Sequence, residues 1–546
     1  MKKNYLMLTV LLLLNLNLRA QQLVKDINPG GNSSYITLSK AVNNTLYFAA
    51  DEGVTGNELW KSDGTDSGTM LVKDINPDGD GLNYTFPNVF ANIDDTLYFV
   101  AYTPTSGVEL WKTDGTADGT VMVKDIDPGT GSGIDVTRCE LVPMNGILYF
   151  IADDGVTQNE LWRSDGTAEG TYLIKNIAPV WQSYIEELTV VNDILFFSAN
   201  SESGGAELWK TDGTTSGTVM VKNIQASGGS SPQFLNNVNG TLFFAAYTTE
   251  HGKELWKSDG TAEGTVLVKD IRPGIDNSIQ YTNVNNFANN NGILYFTATD
   301  GVNGIELWKS DGTEEGTVLV KDVKPGAAGG LDLNNIRNFI AINGTLYFMG
   351  DNGVSGRELW KSDGTPEGTL MVKDIRAGSS WSEPEGFVSY NNTLYFSAYD
   401  GINGGHKLWK SDGTTEGTTI IDTEAPTDPK NITIMNDNLY CRAWDNEYGE
   451  ELRRLNLSTL GLENENKRIT FSLLPNPSTG IVTIITDHVE SDKLDIAVFS
   501  ILGNTVYKGS ASKEQMQINL SFLSKGVYII KVQDGAKVHN QKIIIE

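Results

Sequence analysis

Short apolar stretches separated by polar, glycine-containing turns recur along most of the chain. Each repeat contains a run similar to LYF, as at 46–48, then ELWKSDGT, as at 58–65, then LVKDI, as at 71–75. Successive tryptophans of the second run lie 47 to 52 residues apart, and these eight residues are Trp60, Trp111, Trp162, Trp209, Trp256, Trp308, Trp360 and Trp409. A regular period of this length indicates an array built from one supersecondary unit.

The pattern within one repeat predicts four β-strands. A variable apolar stretch that ends in Asn-Asn or Asn-Gly, as at Asn43 and Asn44, predicts a first strand and a tight turn, because Asn and Gly tolerate positive φ. The LYF, ELW and VKDI runs are rich in aromatic and β-branched residues and predict the second, third and fourth strands. The motif Asp-Gly-Thr-x-x-Gly-Thr joins the last two. Four antiparallel strands per repeat are typical of a β-propeller blade.

The two ends of the array complement each other. The mature chain opens with LVKDI at 23–27, a fourth strand with no repeat before it. A degenerate ninth repeat ends at 450–457, which corresponds to a third strand with no fourth strand after it. We therefore predict an all-β fold, a closed propeller of about nine four-stranded blades, in which the N-terminal strand completes the last blade and removes an open edge. Eight or ten blades stay open as alternatives if the last repeat is misread.

Residues that recur in every repeat are expected to serve the fold. We expect the eight repeat tryptophans to form the core between blades, because burying a large aromatic ring is strongly stabilising. The aspartate of each DGT, such as Asp63, is expected to accept backbone N–H groups in an Asx-type turn. Calcium stays an alternative, although each loop reliably offers one carboxylate and two threonines where calcium takes six or more oxygens. The glutamates of ELW, such as Glu58, are expected to pair across blades, for example with the lysine of VKDI.

Composition and charge exclude several classes of protein. The 41 Lys+Arg against 69 Asp+Glu give a net charge of −28, which argues against nucleic acid as a partner. With 39% hydrophobic and 9% aromatic residues the chain is too apolar to be disordered. Only two Cys and four His are present, too few for a cysteine zinc site or a histidine metal centre. We therefore expect no resident cofactor.

No catalytic constellation stands out in the sequence. It contains no Gly-x-Ser-x-Gly elbow, no His-Glu-x-x-His motif and no P-loop. Adjacent carboxylates, at Asp153-Asp154 and Glu186-Glu187, could serve a glycosidase, which needs two acids, but nothing singles out one pair. We expect a protein that binds rather than catalyses, with a polysaccharide-degrading enzyme as the alternative.

The first 20 residues predict a secretory signal peptide. Lys2 and Lys3 precede an apolar run at 6–14, which is too short to span a bilayer. We expect cleavage after Ala20, with an uncleaved anchor as the alternative. Removing Lys2, Lys3 and Arg19 leaves 38 − 69 = −31 on the mature chain. No other stretch is long and apolar enough to cross a membrane, so we predict no transmembrane helix in the mature protein.

Aromatic residues outside the repeat register mark a candidate binding face. They lie in the connections between blades, which vary in length and content, and function concentrates on such loops. Exposed aromatic rings there suit stacking on sugars, and the candidate ligand-binding residues are Tyr84, Phe86, Trp181, Tyr184 and Trp381. The alternative is that these rings tuck beneath their own loops, since Trp is usually largely buried.

Two family resemblances follow from these motifs. The repeated ELWKSDGT with its trailing GT and LVKDI resembles the ELWxxDGT repeat family of exported bacterial proteins, which implies a repeat architecture more than an activity. The C-terminal segment opens with LPNPSTG at 474–480, contains LSKGVY at 523–528 and closes with KIIIE at 542–546. It resembles the type A C-terminal sorting domain of the Bacteroidetes type IX secretion system. That resemblance implies a small β-sandwich that is read by the outer-membrane machinery of this system and a protein exported to the cell surface.

These observations predict four segments: a signal peptide at 1–20, a propeller at 21–458, a linker at 459–469 and a sorting domain at 470–546. The expected product is a secreted or surface-attached binding protein, an adhesin or a glycan- or protein-recognition module. A structural component of the cell surface with no small ligand is a further alternative.

Overall fold

The computed structural model describes residues 21–82, 89–179, 182–200, 205–280, 287–331, 339–458, 471–474, 476–486, 493–500, 504–512, 517–534 and 537–546. The chain divides into two compact units, Met1–Leu455 and Asn456–Glu546. Every named element in the described ranges is a β-strand.

The first strand of the described residues is β1 (Gln21–Lys25), and the described strands of the first unit form nine four-stranded antiparallel sheets, which we number in chain order. Sheet 1 contains β2 (Thr37–Val42), β3 (Thr45–Asp51), β4 (Asn57–Ser62) and β5 (Met70–Lys73); sheet 2 contains β6 (Phe90–Ile93), β7 (Thr96–Thr103), β8 (Gly107–Thr113) and β9 (Val121–Lys124); sheet 3 contains β10 (Val142–Met144), β11 (Ile147–Ala152), β12 (Glu160–Ser164) and β13 (Tyr172–Lys175). Sheet 4 contains β14 (Glu186–Val191), β15 (Ile194–Asn200), β16 (Ala206–Thr211) and β17 (Val219–Lys222); sheet 5 contains β18 (Gln233–Val238), β19 (Thr241–Thr248), β20 (Gly252–Ser258) and β21 (Val266–Lys269); sheet 6 contains β22 (Ala288–Asn290), β23 (Ile293–Ala298), β24 (Glu306–Ser310) and β25 (Val318–Lys321). Sheet 7 contains β26 (Ile340–Ile342), β27 (Thr345–Asp351), β28 (Arg357–Ser362) and β29 (Leu370–Lys373), and sheet 8 contains β30 (Glu385–Tyr390), β31 (Thr393–Ala398), β32 (Lys407–Ser411) and β33 (Thr419–Ile420). Sheet 9 consists of β34 (Thr427–Met435), β35 (Asn438–Asp445) and β36 (Gly449–Asn456), with β1 as its fourth strand.

The two middle strands of each sheet carry its most buried residues. In sheet 1 the LYF run of β3 pairs with the ELW run of β4, so that Phe48 lies opposite Trp60. Phe48 is completely buried, and the eight repeat tryptophans are only 5 to 8% exposed. These middle strands read as nearly continuous apolar runs because both faces of each sheet are covered by neighbours.

The glutamate of each ELW run is buried and does not pair with a lysine of another sheet. Glu58 accepts hydrogen bonds from the backbone N–H groups of Ile75 and Asn76, with both N···O distances at 3.0 Å. The expected cross-blade ion pair is therefore wrong. The lysine of VKDI instead donates to a backbone carbonyl of the next sheet, since Lys73 Nζ lies 2.8 Å from the Thr120 oxygen. The glutamate ties the third strand to the chain as it leaves the fourth.

A glycine-centred contact joins neighbouring sheets. Lys61 Nζ donates to the carbonyl of Gly115 in the next sheet at 2.7 Å. The ring of Tyr47 lies against the same glycine, whose φ is +89°, and a Cβ there would stand 2.5 Å from the Tyr47 hydroxyl. Only glycine meets both requirements, because the backbone is left-handed and the neighbouring ring leaves no room for a side chain.

The ninth sheet repeats these contacts with the first. β1 pairs antiparallel with β36, and Ile27 and Asn28 donate their N–H groups to Glu451 at 3.1 and 3.2 Å. Arg454 donates to the carbonyl of Gly64 at 2.8 Å. First strands contact one another from each sheet to the next, and β34 also contacts β2. The unit is all-β, and its succession of four-stranded antiparallel sheets is consistent with a propeller-like fold.

The DGT turns hold their own carboxylates. Asp63 Oδ1 accepts the backbone N–H of Thr65 at 2.8 Å and its hydroxyl at 2.7 Å. These hydrogen bonds, that of the hydroxyl foremost, hold the pKa of Asp63 below its usual value. The pattern is that of the expected Asx-type turn. Across the described ranges, no three His, Cys, Asp or Glu side chains are grouped so that they could hold a metal ion.

The described residues of the second unit form two sheets. One has the order β37 (Phe471–Leu474), β38 (Ile481–Thr486), β41 (Gln517–Asn519), and the other has the order β40 (Thr505–Ser512), β39 (Lys493–Ser500), β42 (Gly526–Asp534), β43 (Lys537–Ile545). Val482 and Ile518 of the first sheet belong to the same buried cluster as Ile496, Ile530 and Ile543 of the second. Two sheets sharing one apolar core form the layout of a small β-sandwich.

The buried glutamates predict a fold that loses stability as the pH rises. Burial raises the pKa of Glu58, Glu306 and Glu451 from 4.5 to about 7, although backbone N–H groups lower it. A folded pKa above the unfolded one gives a contribution that is complete below the unfolded pKa and lost as the pH rises through about 7. We expect the urea midpoint to fall between about pH 5 and about pH 8.

The matched control for this titration is Glu306→Gln, which keeps the shape of the side chain and removes the titration. The variant should show a shallower fall than the parent chain, which separates this glutamate from general repulsion among acidic groups. A midpoint that is flat or rises over the same range would contradict the assignment.

Candidate ligand-binding face

Two kinds of connection lie at the same end of the strands in every sheet. In a four-stranded antiparallel sheet, the turn between the second and third strands and the connection to the next sheet lie at one end of the strands. The DGT turns and the turns between first and second strands lie at the other end. We call the first end the upper face and the second the lower face.

Trp381 is an exposed aromatic ring on the upper face. It lies in the connection between β29 and β30 and is 45% exposed. The Arg357 guanidinium carbon lies 4.0 Å from the ring centroid, and this arginine side chain is only 10% exposed. Arg376 Nη1 donates to the Trp381 carbonyl at 3.2 Å. The arginine covers one face of the indole, and the Cδ1 edge lies against Gly356, where a Cβ would stand 2.7 Å from it.

Tyr184 has a similar support. It is 41% exposed, in the connection between β13 and β14, and the Arg138 guanidinium carbon lies 4.8 Å from its ring centroid. Its backbone is left-handed, with a φ of +42°. The other three predicted ligand-binding residues, Tyr84, Phe86 and Trp181, lie outside the described residues.

The structure adds Tyr35, which the sequence analysis missed. Tyr35 is 59% exposed, has a φ of +49° and lies two residues before the first strand of sheet 1. It occupies the same place as Tyr184, since each follows a buried serine, Ser34 or Ser183. The available signal was the repeated Ser-Tyr-Ile at 34–36 and 183–185. Ser231 and Glu383 have the same left-handed backbone, each after a buried serine, so this conformation belongs to the repeat. A bulky side chain in it is unfavourable by itself.

Apart from the exposed aromatic rings, a second cluster, of ionisable side chains, lies between sheets 3, 4 and 5. Lys253 is fully buried, donates to Gln233 and lies 5.5 Å from the ring centroid of Phe234. Burial lowers the pKa of Lys253 to about 7, an effect opposed by the negative charge of Glu187. Burial also raises the pKa of Glu140 to about 7, although the Leu188 N–H lowers it.

The carboxylates of this second cluster act as braces between sheets. Glu140 accepts the N–H of Leu188 at 2.7 Å, and Glu187 accepts the N–H of Leu235 at 3.2 Å. Each therefore holds the first strand of the following sheet. The two adjacent carboxylates Glu186 and Glu187 have different surroundings, because Glu186 is exposed to solvent while Glu187 accepts the Leu235 N–H. Asp153 and Asp154 both accept N–H groups of their own loop.

Comparison with known families identifies the C-terminal tail. Residues 472–546 match the family described as the secretion system C-terminal sorting domain. The match supports a type IX sorting domain and, with it, interaction with the type IX secretion machinery. The tail indicates a protein that is secreted and attached at the outer-membrane surface, as in Bacteroidetes. Among the described residues, no helix is long and apolar enough to span a membrane.

Comparison with solved structures gives only weak similarity. A puromycin hydrolase is 14% identical with a TM-score of 0.34, over 66% of this chain and 59% of that one. A puromycin-hydrolyzing peptidase of Mycobacterium tuberculosis is 10% identical with a TM-score of 0.36, over 71% and 60%. The chain thus spans no more than 60% of these neighbours, and TM-scores this low support no functional conclusion. No curated protein matches the chain.

The strained tyrosine gives a stability prediction. Tyr35→Gly should leave the free energy of unfolding within about 0.5 kcal/mol of the parent, because relief of the left-handed backbone offsets the added freedom of the unfolded chain. The control is Tyr102→Gly, an exposed tyrosine inside β7, which should cost about 1 kcal/mol. Urea unfolding measures both. An equal loss at the two positions would show that Tyr35 serves the fold instead of a ligand.

Proposed function

We propose that this chain is a surface-attached β-propeller of nine blades that recognises a glycan or a surface protein through its upper face. The observation that carries the proposal is Trp381, whose indole is 45% exposed and stacks against the guanidinium group of the buried Arg357. We assign residues 1–20 to a signal peptide, 21–458 to a propeller of the ELWxxDGT repeat family, 459–469 to a linker and 470–546 to the sorting domain. The type IX machinery is its export partner.

Closure of the propeller is supported by the contacts between sheets 9 and 1. Strand β1 supplies the fourth strand that sheet 9 would otherwise lack, and Glu451 accepts the same pair of backbone N–H groups as Glu58 does in sheet 1. Arg454 and Gly64 reproduce the lysine–glycine contact of the other sheet boundaries. A closed ring removes the open strand edges that promote aggregation.

Carbohydrate recognition is supported by the chemistry around the two described aromatic candidates. The face of an indole or phenol ring packs well against the C–H faces of a sugar. The arginine beneath each ring restrains it before binding, so that less side-chain entropy is lost in the complex. Glu383, whose side chain is 49% exposed and lies 3.9 Å from Arg357, is placed to accept sugar hydroxyls. With a mature charge of 38 − 69 = −31, the protein should favour neutral over polyanionic ligands.

Two alternatives remain distinct from this proposal. A polysaccharide-degrading enzyme would use carboxylates that the sequence does not identify. A structural component of the cell surface would need no small ligand. A glycan array followed by a reducing-sugar assay separates all three, because binding without turnover supports recognition, turnover supports the enzyme, and no binding supports the structural role.

The binding face is tested by replacing its aromatic rings. Trp381→Ala and Tyr184→Ala should each weaken binding to a glycan found on the array by about tenfold or more, because each removes a stacking surface. The matched control is Tyr172→Ala. Tyr172 is 44% exposed and lies 5.4 Å from the Arg163 guanidinium carbon, but it begins the fourth strand of sheet 3, at the lower face.

Titration calorimetry with the array hit and circular dichroism of each variant provide the readout. Full-strength binding by the folded Trp381→Ala and Tyr184→Ala variants would rule out the upper face as the site. An equal loss of affinity in the Tyr172→Ala variant would show that the effect comes from general disturbance of the fold.

Export gives a second test. A chain lacking residues 470–546 should accumulate folded in the periplasm, because the first unit has its own apolar clusters and the second unit carries the sorting domain. Cell fractionation with protease shaving of intact cells measures surface display. Normal display of the truncated chain would contradict the sorting assignment, and an unfolded periplasmic product would contradict the independence of the two cores.

A further inference from the structure

Four turns on the lower face are Asn-Gly pairs with nearly the same backbone. Each joins the first and second strands of its sheet, and its asparagine is exposed, with a φ between +49° and +54°. These asparagines are Asn145 in sheet 3, Asn239 in sheet 5, Asn291 in sheet 6 and Asn343 in sheet 7. Asn and Gly suit such turns because both tolerate the left-handed backbone.

The pair that suits the turn is also chemically reactive. The backbone nitrogen of the glycine can lose its proton and attack the side-chain Cγ of the asparagine, because glycine has no side chain to obstruct the approach. A C–N bond forms and closes a five-membered succinimide, the Cγ–Nδ2 bond breaks, and Nδ2 leaves as ammonia with that proton. Water then adds to one of the two succinimide carbonyls and opens the ring to aspartate or isoaspartate.

In two of the four turns a side chain engages the attacking nitrogen. The Gly240 N–H donates to Asn237 Oδ1 at 2.9 Å in sheet 5. The Gly292 N–H donates to Asn289 Oδ1 at the same distance in sheet 6. Because this hydrogen bond must break before the nitrogen can lose its proton and attack, it opposes the reaction in both turns.

The other two turns lack this acceptor. The residue three positions before the glycine is Pro143 in sheet 3 and Ala341 in sheet 7, and neither side chain accepts a hydrogen bond. In sheet 3 the asparagine is restrained in another way, since Asn145 Nδ2 donates to Asp193 Oδ1 of the next sheet at 3.3 Å. Among these four described turns, the one at Asn343 has neither of these hydrogen bonds.

Three further Asn-Gly pairs lie in turns between second and third strands, where the asparagine side chain is held. Asn303 Nδ2 donates to Asp300 at 2.8 Å, and Asn403 Nδ2 donates to Asp400 in the same way. Asn352 Oδ1 accepts two N–H groups of its own turn at 2.9 and 2.8 Å. The four lower-face turns are therefore the matched set.

We propose that Asn343 is a deamidation site of the exported protein, and that Asn237 and Asn289 protect the turns of sheets 5 and 6 from the same reaction. The inference is independent of the ligand and of ring closure. The product disturbs the boundary between sheets 6 and 7, because isoaspartate routes the backbone through Cβ and adds one atom to a two-residue turn. The Gly344 carbonyl of that turn accepts Asn290 Nδ2 of sheet 6 at 2.9 Å.

The site is tested by peptide mapping of the full chain during incubation at neutral pH. Mass spectrometry should show Asn343 converted about fivefold faster than Asn239 and Asn291. This ratio corresponds to about 1 kcal/mol, the net contribution of a typical hydrogen bond. Equal rates at the three asparagines, or a faster rate at Asn239 or Asn291, would overturn the proposal. So would an Asn343 that survives in the folded chain while it is converted in the urea-unfolded chain.

Exchanging the acceptor between sheets tests the protective role. Ala341→Asn places in sheet 7 the residue found in sheets 5 and 6, and it should slow conversion of Asn343 about fivefold. Asn237→Ala removes the acceptor from sheet 5 and should speed conversion of Asn239 by a similar factor. Unchanged rates in both folded variants would overturn the protective role.

A further variant separates the acceptor from the other contact of Asn237, whose Nδ2 donates to the Val190 carbonyl at 3.1 Å. Asn237→Asp loses this donor but keeps the side-chain oxygen, so Asn239 should stay protected. Circular dichroism checks that each variant is folded. If Asn237→Asp speeds conversion of Asn239 as much as Asn237→Ala does, the lost contact with Val190 is the cause and the role of the acceptor is overturned.

Discussion

A buried glutamate that accepts backbone N–H groups organises eight of the nine described sheets of the first unit. In sheet 8 its place is taken by Lys407, which donates to the carbonyl of Ala425. Glu58 fixes the point at which the chain leaves the fourth strand of sheet 1 and turns towards sheet 2. The carboxylate is buried, so its hydrogen bonds must be made in full or the burial would be prohibitive. In sheet 9 the same interaction joins Glu451 to Ile27, 424 residues earlier in the sequence. The contact found in eight of the sheets is thus also the one that joins the two ends of the array.

This arrangement divides the molecule into a constant and a variable face. The lower face is built from DGT turns whose carboxylates, hydroxyls and glycines are all engaged within the turn or by the neighbouring sheet. The glutamate fixes the first residues of the connection that follows the fourth strand. The rest of each connection on the upper face can then vary in length and sequence. Within the described residues, exposed aromatic rings backed by arginine occur in the connections that carry Trp381 and Tyr184.

Much of the architecture was predictable because it depends on repetition. The strand order, the use of LVKDI at 23–27 as a fourth strand and the turn chemistry of Asp63 follow from comparing repeats with one another. The partner of Glu58 was not predictable, because a buried carboxylate can be satisfied by a lysine or by backbone N–H groups, and only the local path of the chain decides. Tyr35 was missed because the Ser-Tyr-Ile motif that it shares with Tyr184 was not compared between repeats, and the left-handed backbone at both tyrosines is seen only in the structure. The support of Trp381 by Arg357 depends on residues 24 positions apart that the fold brings together.

Hydrogen–deuterium exchange of β36 in the full chain and in a chain lacking residues 21–28 tests the central claim most directly. With β1 in place, β36 is an interior strand, and its amides should be protected as well as those of β4 in sheet 1. In the truncated chain β36 becomes an edge strand, and its outward-facing amides should exchange quickly while sheets 4 and 5 stay protected. Rapid exchange of β36 in the full chain, or equal protection in both chains, would contradict a ring closed by the N-terminal strand.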